Sequence, residues 1–141
     1  MVPFVVEEPR SEDCRRLLRA DRHLAVWALT STEMVSAVQR KARSGELDPP
    51  GVRAALRRAE LLEGGWTEVD ALLPVRDHAE RLLGLHDLHA ADALQLAAAI
   101  VLFDSRPRGR SFLTADVRLA EAAEREGFVV VVPAAKRGPR R

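Results

Sequence analysis

The chain has a single cysteine, no tyrosine and only 4% aromatic residues. A lone Cys14 excludes an intrachain disulfide framework and any multi-cysteine zinc site. It suits a reducing compartment. So few aromatics argue against a stacking surface of the kind that holds splayed RNA bases on a sheet. Lysine is scarce as well: of 22 basic residues, only Lys41 and Lys136 are not arginine. Acidic and basic residues almost cancel, leaving a formal net charge of +1, so no global basic field announces a nucleic acid. No apolar run reaches the roughly 20 residues that span a bilayer. Residues 89–103 come closest, and Asp92 and Gln95 interrupt them. The N-terminus shows neither a basic lead nor a small-residue cleavage site. A cytoplasmic protein with no membrane attachment is expected.

What remains is a chain of 141 residues, 47% apolar and 30% charged, which reads as a folded domain. A single domain over 1–133 is expected, followed by a basic tail over 134–141. The type of residues 1–8 is not settled by periodicity. A helix over about 11–21 would be capped by Ser11, with Cys14, Leu17 and Leu18 on one face. His23–Leu29 reads as a buried strand. A helix over about 31–44 would turn Met34, Val35, Val38 and Ala42 inward. Asp48-Pro49-Pro50 opens the next helix, with Val52, Leu56, Ala59 and Leu62 as its stripe. Trp66–Leu72 is a weak strand. Pro74–Leu83 is helical with Val75, Ala79, Leu82 and Leu83 inward, and 88–103 is an almost wholly apolar, central helix. A loop over Arg106–Arg110, a strand over Ser111–Ala115, a helix over 117–126 ended by Gly127, and a last strand over Phe128–Val132 complete the reading. Alternating helices and continuously apolar strands predict an α/β fold, a three-layer sandwich around a mostly parallel central sheet.

In such sheets ligands gather beyond the carboxyl ends of the strands. Glu33 follows the first expected strand, and Asp116 follows the strand over 111–115. Asp92 lies near the start of the apolar helix, where a carboxylate is costly to bury unpaired. Carboxylates about 4–5 Å apart repel by roughly 3–4 kcal/mol at an effective dielectric near 20. A hard divalent cation removes that repulsion, takes one or two carboxylates and keeps waters. Plainer duties compete for each acid. Thr30-x-x-Glu33 has the spacing of a capping box, Asp116 is placed to cap the helix after it, and Asp92 is placed to accept first-turn backbone donors.

Three segments carry a family resemblance: Thr32-Glu33-Met34-Val35-Ser36-Ala37, Ala90-Ala91-Asp92-Ala93-Leu94-Gln95-Leu96-Ala97-Ala98, and Phe112-Leu113-Thr114-Ala115-Asp116-Val117-Arg118-Leu119-Ala120. In order and spacing they resemble the PIN-domain ribonucleases, above all the VapC-type toxins of toxin–antitoxin pairs. The resemblance covers nearly the whole chain. It implies an endoribonuclease that hydrolyses RNA phosphodiesters with Mg²⁺ or Mn²⁺, leaving a 5′-phosphate and a 3′-hydroxyl. It implies that Glu33, Asp92 and Asp116 are the catalytic, metal-binding acids, with Thr114 supporting them. It further implies a homodimer and a cognate antitoxin whose peptide fills the acidic groove. The sequence departs from the family in one respect. Residues 1–9 align with the helix that follows the family's first strand, so that strand and its aspartate are expected to be absent from this sequence. A degenerate, non-catalytic relative that binds an antitoxin or dimerises is therefore a second expectation, and a phosphatase-like hydrolase using the same acids a third.

Two further constellations stand out. Arg106, Arg108 and Arg110 suit phosphate contacts and are weaker candidates for RNA binding, against the default of a solvated loop. His86-Asp87-x-His89 has the spacing of a transition-metal site, against a helix start capped by Asp87. Trp27 and Cys14 read as packing residues.

Overall fold

The helices form where apolar spacing meets a start signal and a stop signal, and they fix the positions of the acids. A computed structural model describes residues 5–21 and 23–135. Its elements run α1 (Ser11–Ala20), β1 (Ala25–Trp27), α2 (Thr30–Arg43), α3 (Pro49–Glu63), β2 (Thr67–Val69), α4 (Leu72–Leu85), α5 (Ala90–Leu102), β3 (Ser111–Leu113), α6 (Val117–Glu126) and β4 (Val129–Val131). This is a mixed α/β chain. β1 pairs with β2, and β3 pairs with β4. The second pair is parallel, with Ser111 opposite Val129, Phe112 opposite Val130 and Leu113 opposite Val131. Each strand is three residues long, shorter than the apolar runs that predicted them. Among the described residues the strands form two-stranded pairs, and no single central sheet links them.

Contacts divide the chain into two compact units. The first comprises the chain up to Leu24, Ala28–Thr67 and the segment from Ala134. Here α2 packs on α3. Asp48 starts α3 by accepting from the Gly51 N–H at 2.8 Å, and prolines at the first helical positions need no amide donor. Ala55 and Ala59 are the buried positions of α3, with Val52, Leu56 and Leu62 half-buried. On α2 the buried positions are Thr30, Met34, Ala37 and Val38. Val35, expected inward, is exposed, because it lies about 100° around the helix from Met34. Ser11 does not cap α1. Arg10 occupies the cap position, and the Ser11 hydroxyl turns back to donate to the Val6 carbonyl at 2.9 Å and accept from the Glu8 N–H at 2.8 Å. Ser11 is thereby buried and fastens the turn ahead of the helix instead. The backbone N–H of Ala134 donates to Asp13, and residues from Lys136 onward lie outside the described residues, as do 1–4.

The second unit comprises Ala25–Trp27 and Glu68–Pro133. Its centre is α5, which packs against α4, β1 and α6. Ala93, Leu96, Ala97, Ala98 and Ile100 are buried there. Leu96 is wholly buried and contributes about 2–3 kcal/mol relative to an exposed leucine. On α4, Val75, Ala79 and Leu82 face inward as expected, while Leu83 is exposed one residue past the stripe. Phe112 and Phe128 meet across the β3–β4 pair with ring centroids 5.5 Å apart. Gly127 ends α6 at φ 103°, a left-handed conformation that glycine adopts without steric cost.

Candidate functional site

The site is built at the carboxyl end of β3. There the Thr114 N–H donates to the Val131 carbonyl at 3.1 Å, one residue beyond the paired strand. The Thr114 hydroxyl accepts from the Asp116 N–H at 3.1 Å and so fixes the backbone that presents Asp116. Asp116 is extended, at φ −84° and ψ 129°, and its Oδ1 accepts from the Leu119 N–H at 2.9 Å. Asp116 therefore does cap α6. That bond engages Oδ1, and the residue is exposed.

Asp92 sits in the first turn of α5 and is half-buried. No side chain caps this helix; His89 holds the cap position without a side-chain bond. Burial pushes the Asp92 carboxyl above its ordinary value of 3.8, and the charge of Asp116 pushes it further, with His89 pulling the other way. Two acids that arrive from different elements of one unit thus feel each other's charge. Two mutually repelling carboxylates fit a hard divalent cation, which binds through one or two of them and completes its shell with water and substrate oxygens. Among the described residues, no group of three or more His, Cys, Asp or Glu side chains gathers closely enough to hold a metal.

Glu33 belongs to the first unit. It lies half-buried in the first turn of α2, just past β1 in the chain. The capping box does not form. Leu29 is the cap residue, no side chain caps the helix, and Thr30 is already helical and buried. Next to it in sequence, the Ser31 hydroxyl bonds the Glu63 carboxylate from the end of α3.

The other constellations resolve differently. His86, Asp87 and His89 do not act together: His86 turns to Glu126, Asp87 accepts from Arg118 at 3.1 Å, and His89 occupies the cap position of α5 without a side-chain bond. The first of these contacts belongs to a cluster that sequence spacing did not reveal. Glu126 accepts from Arg81 Nη2 at 2.6 Å and lies 2.9 Å from His86 Nε2. Arg81 stands on α4 and His86 at its end, 45 and 40 residues before Glu126, so no local motif could have found the cluster. Arg106, Arg108 and Arg110 are exposed, and the Arg110 guanidinium lies over the Phe103 ring, 4.9 Å from its centroid. Cys14 is buried and its thiol is raised by that burial, which suits packing rather than nucleophilic chemistry. Trp27 is buried on β1.

A scan of the sequence against models of protein families finds no matching family, and a search of curated proteins finds no match. Among the described residues, no helix is long and apolar enough to cross a membrane.

Proposed function

We propose that the chain is a metal-dependent endoribonuclease of the PIN-domain, VapC-like kind, with Asp92 and Asp116 in its cutting centre. One observation carries this reading: the half-buried Asp92 has its carboxyl raised by burial and by Asp116, which His89 only partly offsets. A carboxylate raised in this way, near a second one past the end of a strand, is the kind of arrangement found at functional sites and supports this reading. Glu33 joins the proposal from the sequence resemblance alone, as do the sandwich architecture, the homodimer and the antitoxin.

Each residue has a definable task. Mg²⁺ or Mn²⁺, when bound, supplies charge for a phosphate oxygen and acidity for a water. Asp92 and Asp116 would hold the ion as carboxylates. Thr114 orients Asp116 through its backbone N–H. The apolar flank of α5 keeps Asp92 partly out of water, which strengthens its attraction for a cation.

A second reading is favoured by the cap. Asp116 already has a structural duty toward Leu119, and that duty alone could explain its presence. In that case the chain is a non-catalytic relative that binds an antitoxin or dimerises. Cleavage of single-stranded RNA with Mn²⁺ or Mg²⁺ separates the two. Activity that a chelator abolishes, and that Asp92→Asn lowers by about 100-fold or more, is expected. A folded chain that leaves RNA intact under both metals rejects the enzyme reading in favour of the second.

A further inference from the structure

Arg106, Arg108 and Arg110 lie on the loop that enters β3, whereas Asp116 follows the strand's other end. The loop is fastened by its own backbone. The Arg106 N–H donates to the Phe103 carbonyl at 2.8 Å, the Arg110 N–H donates to the Pro107 carbonyl at 2.9 Å, and the Arg110 carbonyl accepts from the Val129 N–H at 2.8 Å. Gly109, at φ 75°, supplies the left-handed residue that closes the turn from Pro107 to Arg110. The guanidinium of Arg110 is held over Phe103, whose ring in turn tilts against Phe128 at 6.3 Å. Elsewhere in the same unit Arg81 and Arg118 pair with carboxylates. Among the described residues, the three loop arginines have no such partner.

We propose that this loop is a secondary binding site for the phosphate backbone of the RNA strand, an inference that rests on the ribonuclease reading above. Guanidinium groups present a planar fork of donors that matches phosphate oxygens, and they are weakly hydrated. The turn holds them ready without a loop-ordering cost. The segment from Asp104 to Ser111 carries no large exposed apolar side chain, so it offers little of the apolar area that a peptide partner would bury. From Arg110 to Asp116 the chain spans at most about 20 Å at ~3.3 Å per residue. At roughly 3.4 Å per stacked nucleotide, that is about six nucleotides. RNA of about six nucleotides or more is therefore long enough to reach from the loop to the acidic edge.

The test uses the full chain with a chelator, so that binding is read without cleavage. Fluorescent single-stranded RNAs of about four and about twelve nucleotides, and poly-glutamate, are titrated by anisotropy between roughly 50 and 200 mM salt. The double variant R106Q/R108Q leaves Arg110 on Phe103. It is expected to bind both RNAs more weakly, the longer about tenfold, with a salt slope shallower by about 1.4. The single variant R108Q gives about half that slope change, which guards against a folding defect in the double variant. Unchanged affinity and slope for the longer RNA overturn the loop site, while Asp92-dependent cleavage would still uphold the ribonuclease reading. Poly-glutamate held as tightly as RNA, and lost in the same variant, overturns RNA as the occupant. A wild-type chain that binds no RNA of either length overturns the loop site, and metal-dependent cleavage then decides the ribonuclease reading by itself.

Discussion

Two carboxylates in the second unit are treated in opposite ways. Glu126 is nearly buried, at 15% side-chain exposure, against His86 at 8%. Burial alone would raise its carboxyl, but the hydrogen bonds from Arg81 and His86 outweigh that effect and hold it below its ordinary value of 4.5. Asp92 is half-buried, and nothing of comparable strength offsets its burial; the charge of Asp116 adds to it. The same fold therefore satisfies one acid completely and leaves another in repulsion. An acid satisfied by opposite charge adds to stability, and one left beside a like charge subtracts from it.

The largest effect should come from breaking the satisfied cluster. Glu126→Ala leaves Arg81 and His86 without their acceptor, and His86 Nδ1 is already buried without a hydrogen-bond partner. A loss of about 3 kcal/mol is expected, which for a domain of this size lowers Tm by roughly 10 °C. Denaturant melts at neutral pH check it. The pH dependence has a definite sign. A carboxyl lowered in the folded state contributes fully above its unfolded value and loses that contribution as pH falls through its folded value. The gap between wild type and variant should thus narrow in acid. A gap that stays constant from neutral pH to strong acid would show that Glu126 acts by packing alone.

Asp116 comes next, because it serves both sides of the comparison. Asp116→Ala removes the cap on α6 and should cost about 1 kcal/mol. Asp116→Asn keeps an acceptor for the Leu119 N–H and should cost little. Both remove the charge that Asp92 feels, so both should lower the Asp92 carboxyl toward its ordinary value of 3.8. Carbon-detected NMR titration of the Asp92 carboxyl reads this directly. An Asp92 titration unmoved by Asp116→Asn would sink the pairing on which the site is built.

Asp92→Asn should reverse the sign altogether and stabilise the fold at neutral pH. A carboxyl raised in the folded state binds more protons there than in the unfolded chain, so stability falls as pH rises from 3.8 through the raised value. Above that value the penalty is constant, and the asparagine variant escapes it. Below 3.8 both chains are neutral at this position and the gain should vanish. Thermal melts at pH values on either side of this window check it. A variant less stable than wild type at neutral pH would place Asp92 with Glu126, among the satisfied acids.

Much of the scaffold was legible because its signals are local. Asp48-Pro49-Pro50 announced α3, the apolar stretch over 90–102 announced α5, and Gly127 announced the end of α6. Strand lengths were not legible, since apolar runs continue through Ala28 and Leu29 into turns where no ladder forms. Ser11 was misjudged because its best partners, Val6 and Glu8, precede the helix. Val35 and Leu83 were misplaced by one step around their helices. Asp116 was legible because it follows a strand end, where ligands gather, and Asp92 because a carboxylate inside so apolar a helix is costly to bury. Glu126, Arg81 and His86 follow no such rule, and only tertiary packing joins them.

The smallest expected effect tests whether burial or bond length governs the comparison. Arg118 and Asp87 meet at 3.1 Å, nearly the separation of His86 and Glu126, yet their side chains are 61% and 89% exposed. Water screens such a pair, and ordering two long side chains offsets what attraction remains. Asp87→Asn should leave Tm unchanged within error at moderate salt. If distance set the worth of an ion pair, this variant would fall as far as Glu126→Ala, and the raised Asp92 carboxyl would lose its meaning as a mark of function. If burial sets it, the order Glu126, Asp116, Asp87 follows, and Asp92, half-buried beside a like charge, stands outside that order.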